Sequence, residues 1–510
     1  MAESENLNNK SSISTYIPMI YFILQILIGM YAAYWVLFYH QPKTGDDVEH
    51  LHSTWLVFQG KIPYLDFFQH HNPLLWYLFA PIVGFFAYDI TVFDIVRIIS
   101  TLVMFLTLYT SAKIVQNFIS HSKYAGLLTI VAVFPSYIVF SGQDFRPDNY
   151  MVFSFMTGLY FFFAYVKGHK VRNLIISFLL MFLTFMFMQK SIFFLAIFGL
   201  IVIYLLYKKE IKLEDFMKAL ILPLIGITLF IIWLAYHGII ERYWLCNFTF
   251  NKYIPDVYGG LVEPTKLEFY VLTGIAFIGF IYFMIKGNIY ARIVCILWLS
   301  EALQRFFYFS LDRHYYYFLD ILNALLVGGI AWEAIKRKQW SAYFFVLLSM
   351  ASLWPFRTYC LQNKLRPEYH RYVTPKYVVE QANRCDSVLN GYGLTYGIFT
   401  KDNTYYWNLN GQLDVIGSQI GLAPIPDLNE VVRKHLPLLI YTAPFWNEKL
   451  RKQNINVPVH WIDPELRDKY YQQSIFVDLF ILKDEYRKQR RCRPDGSYYY
   501  IRNNNVQISK

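Results

Sequence analysis

Long apolar runs alternate with short polar loops over the first two thirds of the chain. Because a helix needs about 20 apolar residues to cross a bilayer, runs near that length predict membrane spans. The run at 73–88 is shorter, and we interpret it as an interfacial or re-entrant segment. The other runs predict about eleven spans, near residues 16–39, 94–115, 125–140, 149–166, 172–188, 191–207, 219–236, 267–285, 290–310, 314–334 and 340–356.

The composition is typical of a polytopic membrane protein. Hydrophobic residues make up 56% of the 510 residues and charged residues only 16%, which excludes an ordinary soluble enzyme. The formal net charge of +11 does not indicate nucleic-acid binding, because the basic residues fall in short clusters between apolar runs. Clusters of this kind mark cytoplasmic loops. The polar residues 1–15 predict a disordered cytoplasmic N-terminus.

The basic clusters predict the orientation of the spans. If 73–88 does not cross the membrane, five basic loops fall on the same side as the N-terminus, as the positive-inside rule requires. These loops contain Lys113 and Lys123, Lys167–Arg172, Lys208–Lys218, Lys286–Arg292, and Lys336–Lys338. The polar loops 40–72, 143–149 and 237–265 then face the external side, together with everything after about residue 357.

The tail, residues 357–510, differs in composition from the rest of the chain. It carries proline, asparagine, glycine and charge throughout, with strand-like pieces at 387–389 and 438–441. A helical pattern begins at Asp427, a residue type that caps helix N-termini well. The chain therefore predicts an all-α polytopic membrane domain over 16–356, with interfacial helices, followed by an extracytoplasmic α/β domain.

An adjacent acidic pair, Asp46 and Asp47, follows the first apolar run. These carboxylates could act as a general base toward an acceptor hydroxyl, ligate a divalent cation, or do both. A solvated loop could also contain such a pair without any chemical role. The amphipathic pattern of residues 48–59 predicts a helix lying in the interface, which would hold the acids at a fixed depth.

A second group of charged residues lies between later spans. Arg146 is permanently charged and suits a phosphate, while Asp148 could ligate a metal or orient the arginine. The alternative is an ion pair that only closes a tight loop. Lys190 interrupts an apolar run, where it could neutralise a leaving phosphate or snorkel to the interface. Arg313, near the outer end of a late span, is a further candidate for phosphate contact.

Four histidines lie in or near the first polar loop, at positions 50, 52, 70 and 71. The first two are two residues apart in the predicted helix, so their rings point to different faces and a joint metal site is not expected. A site that combines His71 with Asp46 or Asp47 is a candidate for a divalent cation, with His70 as an alternative imidazole ligand.

The order of these motifs along the chain is informative. The acidic pair and amphipathic helix are followed by Gly60-Lys61-Ile62-Pro63-Tyr64, Asp66-Phe67-Phe68, His70-His71-Asn72-Pro73-Leu74, Arg146-Pro147-Asp148 and finally Lys190. This order resembles the GT-C superfamily of membrane glycosyltransferases. The similarity is greatest to the bacterial branch that includes the lipid A aminoarabinose and galacturonic acid transferases, and more distant to protein O-mannosyltransferases.

The resemblance implies transfer of a sugar, with inversion, from a polyprenyl-phosphate donor to a glycolipid, glycan or protein acceptor at the outer face of the bacterial inner membrane. It implies catalytic roles for three acids, Asp46, Asp47 and Asp148. Asp47 replaces the usual Glu, and His71 stands where many relatives carry Lys. Basic side chains would contact the donor phosphate, namely Arg146, Lys190, His70, His71 and Arg313. A divalent cation is a candidate cofactor.

Other classes of function are also compatible with many spans. A transporter or flippase would carry an internal repeat with broken segments in both halves, and none is apparent. A polysaccharide polymerase or ligase would also use external loops and a prenyl-linked substrate. A nonenzymatic scaffold would not require an acid-rich first loop. The long loop 237–265 could be a mobile lid or an ordinary connector.

Overall fold

The computed structural model describes residues 46–133, 141–257, 267–307, 316–337 and 373–382, together with Leu27, Tyr31 and discontinuous stretches between 386 and 507. The predicted disordered N-terminus and the predicted span at 340–356 lie outside these residues, as does nearly all of the span at 16–39. Contacts divide the chain into two compact units. The first comprises 1–40, 97–228 and 260–369, and the second comprises 41–96, 229–259 and 370–510.

Helices form most of the described chain up to residue 337. They are α1 Asp46–Phe58, α2 Leu74–Phe85, α3 Val92–Ile114, α4 Lys123–Val133, α5 Pro147–Gly168, α6 Val171–Phe187, α7 Ile192–Tyr207, α8 Leu213–Tyr236, α9 Ile240–Trp244, α10 Phe250–Val257, α11 Leu267–Lys286, α12 Ile289–Phe307 and α13 Tyr317–Arg337. A π-helical turn, Val115–Ile119, extends α3, and a second one, Leu245–Thr249, joins α9 to α10. Within the described residues, the predicted apolar runs therefore coincide with helices to within a few residues.

Among the described residues, five helical segments are long and apolar enough to cross a membrane. They are Val92–Ile119, Pro147–Gly168, Gln189–Tyr207, Leu213–Tyr236 and Tyr317–Arg337. Helix α2 has 12 residues, which at 1.5 Å per residue gives about 18 Å, less than the hydrocarbon thickness of a bilayer. A crossing by 73–88 is thus disfavoured, as the basic loops indicated. The total of about eleven spans stays a prediction.

The basic loops of the first unit meet at one end of its helices. Four hydrogen bonds join them, from Lys167 to the Asn117 carbonyl, from Asn288 to the Phe118 carbonyl, from Tyr165 to Asp215, and from Arg337 to the Tyr282 hydroxyl. Helix α5 runs from this end over 22 residues, or about 33 Å, to Pro147 at the other end. The charged loop before Pro147 therefore lies opposite the basic loops.

Close packing of α4 against α13 depends on a glycine. A Cβ atom built on Gly328 would lie 2.7 Å from the Cα atom of Thr129. A small residue here lets the two backbones approach, as is common where apolar helices pack in membranes. The pair fixes α13, whose first residue, Tyr317, contacts Gly142 in the charged loop.

The second unit contains the described part of the tail as an α/β structure. A five-stranded sheet has the order β2-β1-β3-β5-β4, with β1 parallel to β2 and β3, and β5 antiparallel to β3 and β4. A separate antiparallel sheet has the order β6-β7-β8. The strands are β1 Ser387–Asn390, β2 Lys401–Asp402, β3 Leu439–Tyr441, β4 Tyr471–Gln473, β5 Leu479–Leu482, β6 Arg490–Cys492, β7 Tyr498–Arg502 and β8 Asn505–Gln507. The helices are α14 Val373–Gln381, α15 Leu428–His435, α16 Pro464–Tyr470 and α17 Asp484–Arg487.

Local predictions for the tail are confirmed where the chain is described. The strand-like pieces at 387–389 and 438–441 correspond to β1 and β3. Asp427 is the N-cap of α15, and its side chain accepts a hydrogen bond of 2.9 Å from the Asn429 backbone N–H. That contact satisfies one of the backbone donors that a helix N-terminus leaves without a partner.

The core of the second unit is shared by three distant segments. Tyr64 and Phe68 come from the first polar loop, Tyr243 and Phe250 from the 237–265 loop, and Leu439 from the central strand of the tail. The two polar loops thus pack in one compact unit with the described tail, an association that the apolar pattern did not predict. The predicted boundary near residue 357 stays a prediction.

Candidate functional site

The acidic pair opens α1, as the sequence predicts. Asp46 is half-buried and Asp47 is buried, and both lie in the first helical turn with Glu49. Carboxylates are stabilised at a helix N-terminus by the helix dipole and the unpaired backbone N–H groups. Residues Asp47 to Val57 are all buried, so neither face of this helix is open to solvent. The amphipathic pattern predicted the helix correctly but did not predict that its polar face is buried.

Glu49 accepts a hydrogen bond from the loop that follows Phe68. The Gln69 side-chain amide donates to Glu49 Oε1 at 3.0 Å and to Ser53 Oγ at 2.8 Å. The His70 Nδ1 atom lies 3.8 Å from Glu49 Oε1. These contacts hold one carboxylate of α1 beside the histidine pair, although 20 residues separate Glu49 from Gln69.

Glu49, His70 and His71 form a cluster with the spacing of metal ligands. One ligand atom from each residue lies within 4.8 Å of the other two, and all three side chains are buried or nearly so. Two imidazoles and a carboxylate are a common ligand set for Zn²⁺. Within the part of the chain that the structure describes, the acid in such a cluster is Glu49, whereas the sequence pattern favoured Asp46 or Asp47.

The protonation state of His70 fits metal ligation better than phosphate binding. Burial, together with the neighbouring His50, lowers the pKa of His70 to about 3. The ring is therefore neutral at pH 7 and keeps a lone pair for a cation. A neutral imidazole attracts an anionic phosphate only weakly, which argues against the predicted phosphate contact for this residue.

Backbone atoms of the histidine pair are held by residues from other segments. Asn251 donates to the His70 carbonyl at 2.7 Å, and the Tyr64 hydroxyl donates to the His71 carbonyl. The Tyr243 hydroxyl donates to Asn72 Oδ1 at 2.8 Å. Two of these donors belong to the 237–265 loop, whose described part therefore supports the site rather than only connecting two helices.

The other two histidines, His50 and His52, contact different partners. The Trp76 indole nitrogen lies 3.4 Å from His50 Nδ1, and the His50 ring faces His71 at a centroid distance of 5.4 Å. His52 instead contacts Asp402 of the tail, with 2.7 Å between Nε2 and Oδ2. His50 and His52 thus contact different partners, and the absence of a metal site shared by them stays a prediction.

In the first unit, Arg146, Asp148 and Lys190 form a charged group that we name the cationic triad. Pro147 begins α5 directly after Arg146, which places Asp148 in the first turn. Arg146 Nη2 lies 3.3 Å from Asp148 Oδ2. Lys190, in the short 3-10 turn Gln189–Ser191 before α7, donates from Nζ to Asp148 Oδ1. The structure thus joins Lys190 to the Arg146-Pro147-Asp148 motif, from which more than 40 residues separate it in the sequence.

The cationic triad carries one excess positive charge. Asp148 and Arg146 are almost fully buried, with side chains 4% and 5% exposed, whereas the Lys190 side chain is 22% exposed. The contact with Asp148 gives Lys190 an ionic partner that the snorkelling interpretation does not require. A carboxylate that orients two cations, one of them accessible, is suited to binding a singly charged phosphate ester.

A second ion pair supports the loop before α5 and was not predicted. Arg97 of α3 is fully buried, and its Nη2 atom lies 3.3 Å from Asp144 Oδ1. Asn149 donates from its side chain to the Asp144 carbonyl. An arginine within an apolar run is itself a signal of a buried partner, so Arg97 could have been nominated from sequence. Arg313, the remaining predicted phosphate ligand, lies outside the described residues.

Comparison with known proteins identifies the fold. No protein-family model matches the chain, and no curated protein matches its sequence. Two crystal structures of ArnT from Cupriavidus metallidurans, one bound to undecaprenyl phosphate and one in the apo state, align with TM-scores of 0.54 and 0.55. Each alignment has 12% identity and covers 84% of this chain and 94% of the other.

An archaeal protein aligns as well. The oligosaccharyltransferase AglB from Archaeoglobus fulgidus, in complex with an inhibitory peptide and a dolichol-phosphate, aligns with a TM-score of 0.50 at 10% identity. The alignment covers 96% of this chain and 74% of that one. These similarities show that the chain shares the fold of these solved structures, in agreement with the fold expected from the sequence motifs. At such low identity they concern the fold alone.

Proposed function

We propose that this protein is a membrane glycosyltransferase that moves a sugar from a polyprenyl-phosphate donor to a glycolipid, glycan or protein acceptor. Transfer proceeds with inversion at the anomeric carbon. The enzyme acts in the bacterial inner membrane, with its catalytic residues and its tail on the periplasmic side. The undecaprenyl phosphate in ArnT and the dolichol-phosphate in AglB support a prenyl phosphate as the donor carrier.

The cationic triad is the observation that carries this proposal. When the sugar–phosphate bond breaks, negative charge grows on the departing lipid phosphate, and preorganised cations lower the energy of that state. Lys190 is exposed enough to contact the phosphate, and Arg146 adds a second positive charge. Asp148 keeps both cations oriented before substrate binds, so little reorganisation is needed during the reaction. Asp148 is then an orienting acid rather than the base.

The acidic pair supplies the general base. Asp47, or Asp46 beside it, accepts the proton of the acceptor hydroxyl as that oxygen attacks the anomeric carbon. The position of both acids in the first turn of a buried helix supports this role, because the helix restricts the movement of the carboxylates. A base in a defined position contributes far more to the rate than one in a mobile loop.

Glu49, His70 and His71 would hold a divalent cation of the zinc type. When bound, the cation would supply positive charge for binding or for polarising an oxygen atom. The residues fit this group for two reasons. The ligand set is of the right chemistry, and the side chain of Gln69 together with the backbone contacts of Asn251 and Tyr64 restrains the three ligands from outside.

The test is release of polyprenyl phosphate from lipid-linked sugars by the purified protein. Wild type should release it, whereas a flippase or transporter would leave the sugar–phosphate bond intact. We expect Asp47→Asn or Asp46→Asn to lower kcat by about 100-fold or more, as loss of a general base does. Asp89→Asn is the control, because Asp89 is an exposed acid of the same unit that accepts from the Thr91 backbone, which Asn also does.

Two outcomes would contradict parts of this proposal. Full turnover in both variants of the acidic pair would remove the proposed base. Full turnover after treatment with EDTA would show that the reaction requires no cation, and it would not affect the assignment of the base. Absence of any release by wild type, with a panel of lipid-linked sugars and acceptors, would refute the transferase itself.

A further inference from the structure

A short segment of the tail holds the backbone of the loop that carries the histidine pair. Phe68 is buried, and its backbone N–H donates to the Tyr405 carbonyl at 2.9 Å. The Phe68 carbonyl accepts from the Trp407 indole N–H, also at 2.9 Å. Both polar backbone groups of a buried residue are thus satisfied by the tail, and Phe68 is only two residues before His70.

The same segment reaches the helix that carries Glu49. Asp402 contacts His52 of α1 at 2.7 Å, and the Trp407 ring packs on the His52 ring at a centroid distance of 4.7 Å. The Tyr405 hydroxyl donates to the Tyr64 carbonyl at 2.8 Å. We name residues 402–407 the tail clamp. It therefore binds both elements that provide the metal-type ligands, α1 and the loop 64–71.

We propose that the tail clamp is a positioning element for the Glu49, His70 and His71 cluster, and that Trp407 is its central positioning residue. This inference rests on the cation-binding role given to that cluster in the proposed function. It assigns the tail a part in building the site, although 339 residues separate Trp407 from Phe68.

The physical reason is the lack of regular structure in the loop. Residues 65–73 form turns, bends and an isolated bridge, and neither a helix nor a strand ladder fixes the course of their backbone. Metal ligands must be held to within a few tenths of an ångström for tight binding. Without the Trp407 donor, the Phe68 carbonyl would be buried without its hydrogen bond. The loop would move to recover one, and His70 would move with it.

The experiment compares two tryptophan substitutions in full-length protein. Trp407→Phe removes the indole N–H but keeps an aromatic ring against His52. Trp55→Phe is the matched control, since Trp55 is equally buried, also packs on His52, and its indole nitrogen has no hydrogen bond to any described residue. Tyr405→Phe is a second probe, because it keeps the ring and the backbone but deletes the hydroxyl, with its bond to the Tyr64 carbonyl and its contact with Cys246. The probe ligand is Zn²⁺ alone, titrated in competition with a chromophoric chelator, with the visible spectrum of bound Co²⁺ as a report on ligand geometry.

We expect Trp407→Phe to weaken Zn²⁺ binding by about tenfold or more and to alter the Co²⁺ spectrum, as loss of outer support for metal ligands does. Tyr405→Phe should weaken binding severalfold, and Trp55→Phe should match wild type. Equal affinities and spectra in the Trp407, Tyr405 and Trp55 variants would overturn the inference, and so would a wild type that binds no Zn²⁺. Tight Zn²⁺ binding by a wild type that releases no polyprenyl phosphate would instead count against the proposed function and leave the clamp standing.

Discussion

Replacement of Lys190 by methionine tests the phosphate-binding role of the cationic triad most directly. Methionine keeps much of the length of the side chain but removes its charge and its hydrogen bonds. Asp148 retains Arg146 as its partner at 3.3 Å, so the group changes from one excess positive charge to none. The variant should therefore attract an anion less strongly, while the buried Asp148 carboxylate keeps the ion pair with Arg146.

The expected magnitude follows from burial and charge. A hydrogen bond to a charged group contributes roughly 1.5–3 kcal/mol, and each 1.4 kcal/mol changes an equilibrium constant about tenfold. Because the Lys190 side chain is 22% exposed, solvent screening reduces the effect toward the lower end of this range. We expect the Kd for undecaprenyl phosphate to rise by about tenfold in Lys190→Met. Lys190→Arg keeps the charge and should stay within about threefold of wild type.

The assay is equilibrium binding of undecaprenyl phosphate to purified protein at 0.15 M salt. Lys208→Met is the control for loss of a charge, because Lys208 directly follows α7 at the end away from Lys190. The segment Gln189–Tyr207 has 19 residues and is about 28 Å long, several times the Debye length of about 8 Å at this salt. Equal Kd values for wild type and Lys190→Met, with thermal unfolding unchanged, would refute the phosphate-binding role.

Three further predictions concern stability, each measured by thermal unfolding of the purified protein. Gly328→Ala should lower the unfolding temperature, because the added Cβ would lie 2.7 Å from Thr129 Cα. Gly199→Ala is the control and should leave the temperature unchanged, because a Cβ there meets no atom within 4 Å. Equal effects of the two substitutions would contradict the close approach of the two helices. Asp427→Ala should cost about 1 kcal/mol through loss of the N-cap, and Asp427→Asn should cost little; a neutral alanine variant would argue against the cap. Burial raises the pKa of Asp402 above its ordinary 3.8. Between the unfolded-state pKa and the folded-state pKa, the folded protein therefore keeps this carboxyl protonated, whereas the unfolded protein has lost the proton. Stability from this group is greatest below pH 4 and falls as the pH rises through the folded-state pKa. Asp402→Asn should show a smaller decline between pH 4 and pH 7, and an identical decline would contradict this assignment.

The candidate site shows which functional residues a local sequence pattern can predict and which it cannot. The acidic pair, the charged loop and Lys190 were each recognisable because ionisable residues are rare beside apolar runs and costly to bury without a partner. The pattern could not decide which acid joins the histidines. Asp46, Asp47 and Glu49 share one helical turn, and only the course of the loop after Phe68 brings Gln69 and His70 to Glu49. The pairing of Arg97 with Asp144 and the tail contacts of Phe68 were missed for the same reason.

The sequence by itself determined the features whose causes are local. Apolar run length predicted the helices, the cap residue Asp427 predicted the start of α15, and the motif order indicated a fold with which the structural comparison agrees. The tertiary structure alone decided that both polar loops share a core with the tail and that Trp407 supports the loop of His70. Periodicity reports only which side of an element is buried, whereas a contact between residues hundreds of positions apart depends on how whole elements pack. That packing energy is the sum of contacts among many side chains, so no single sequence motif predicts it.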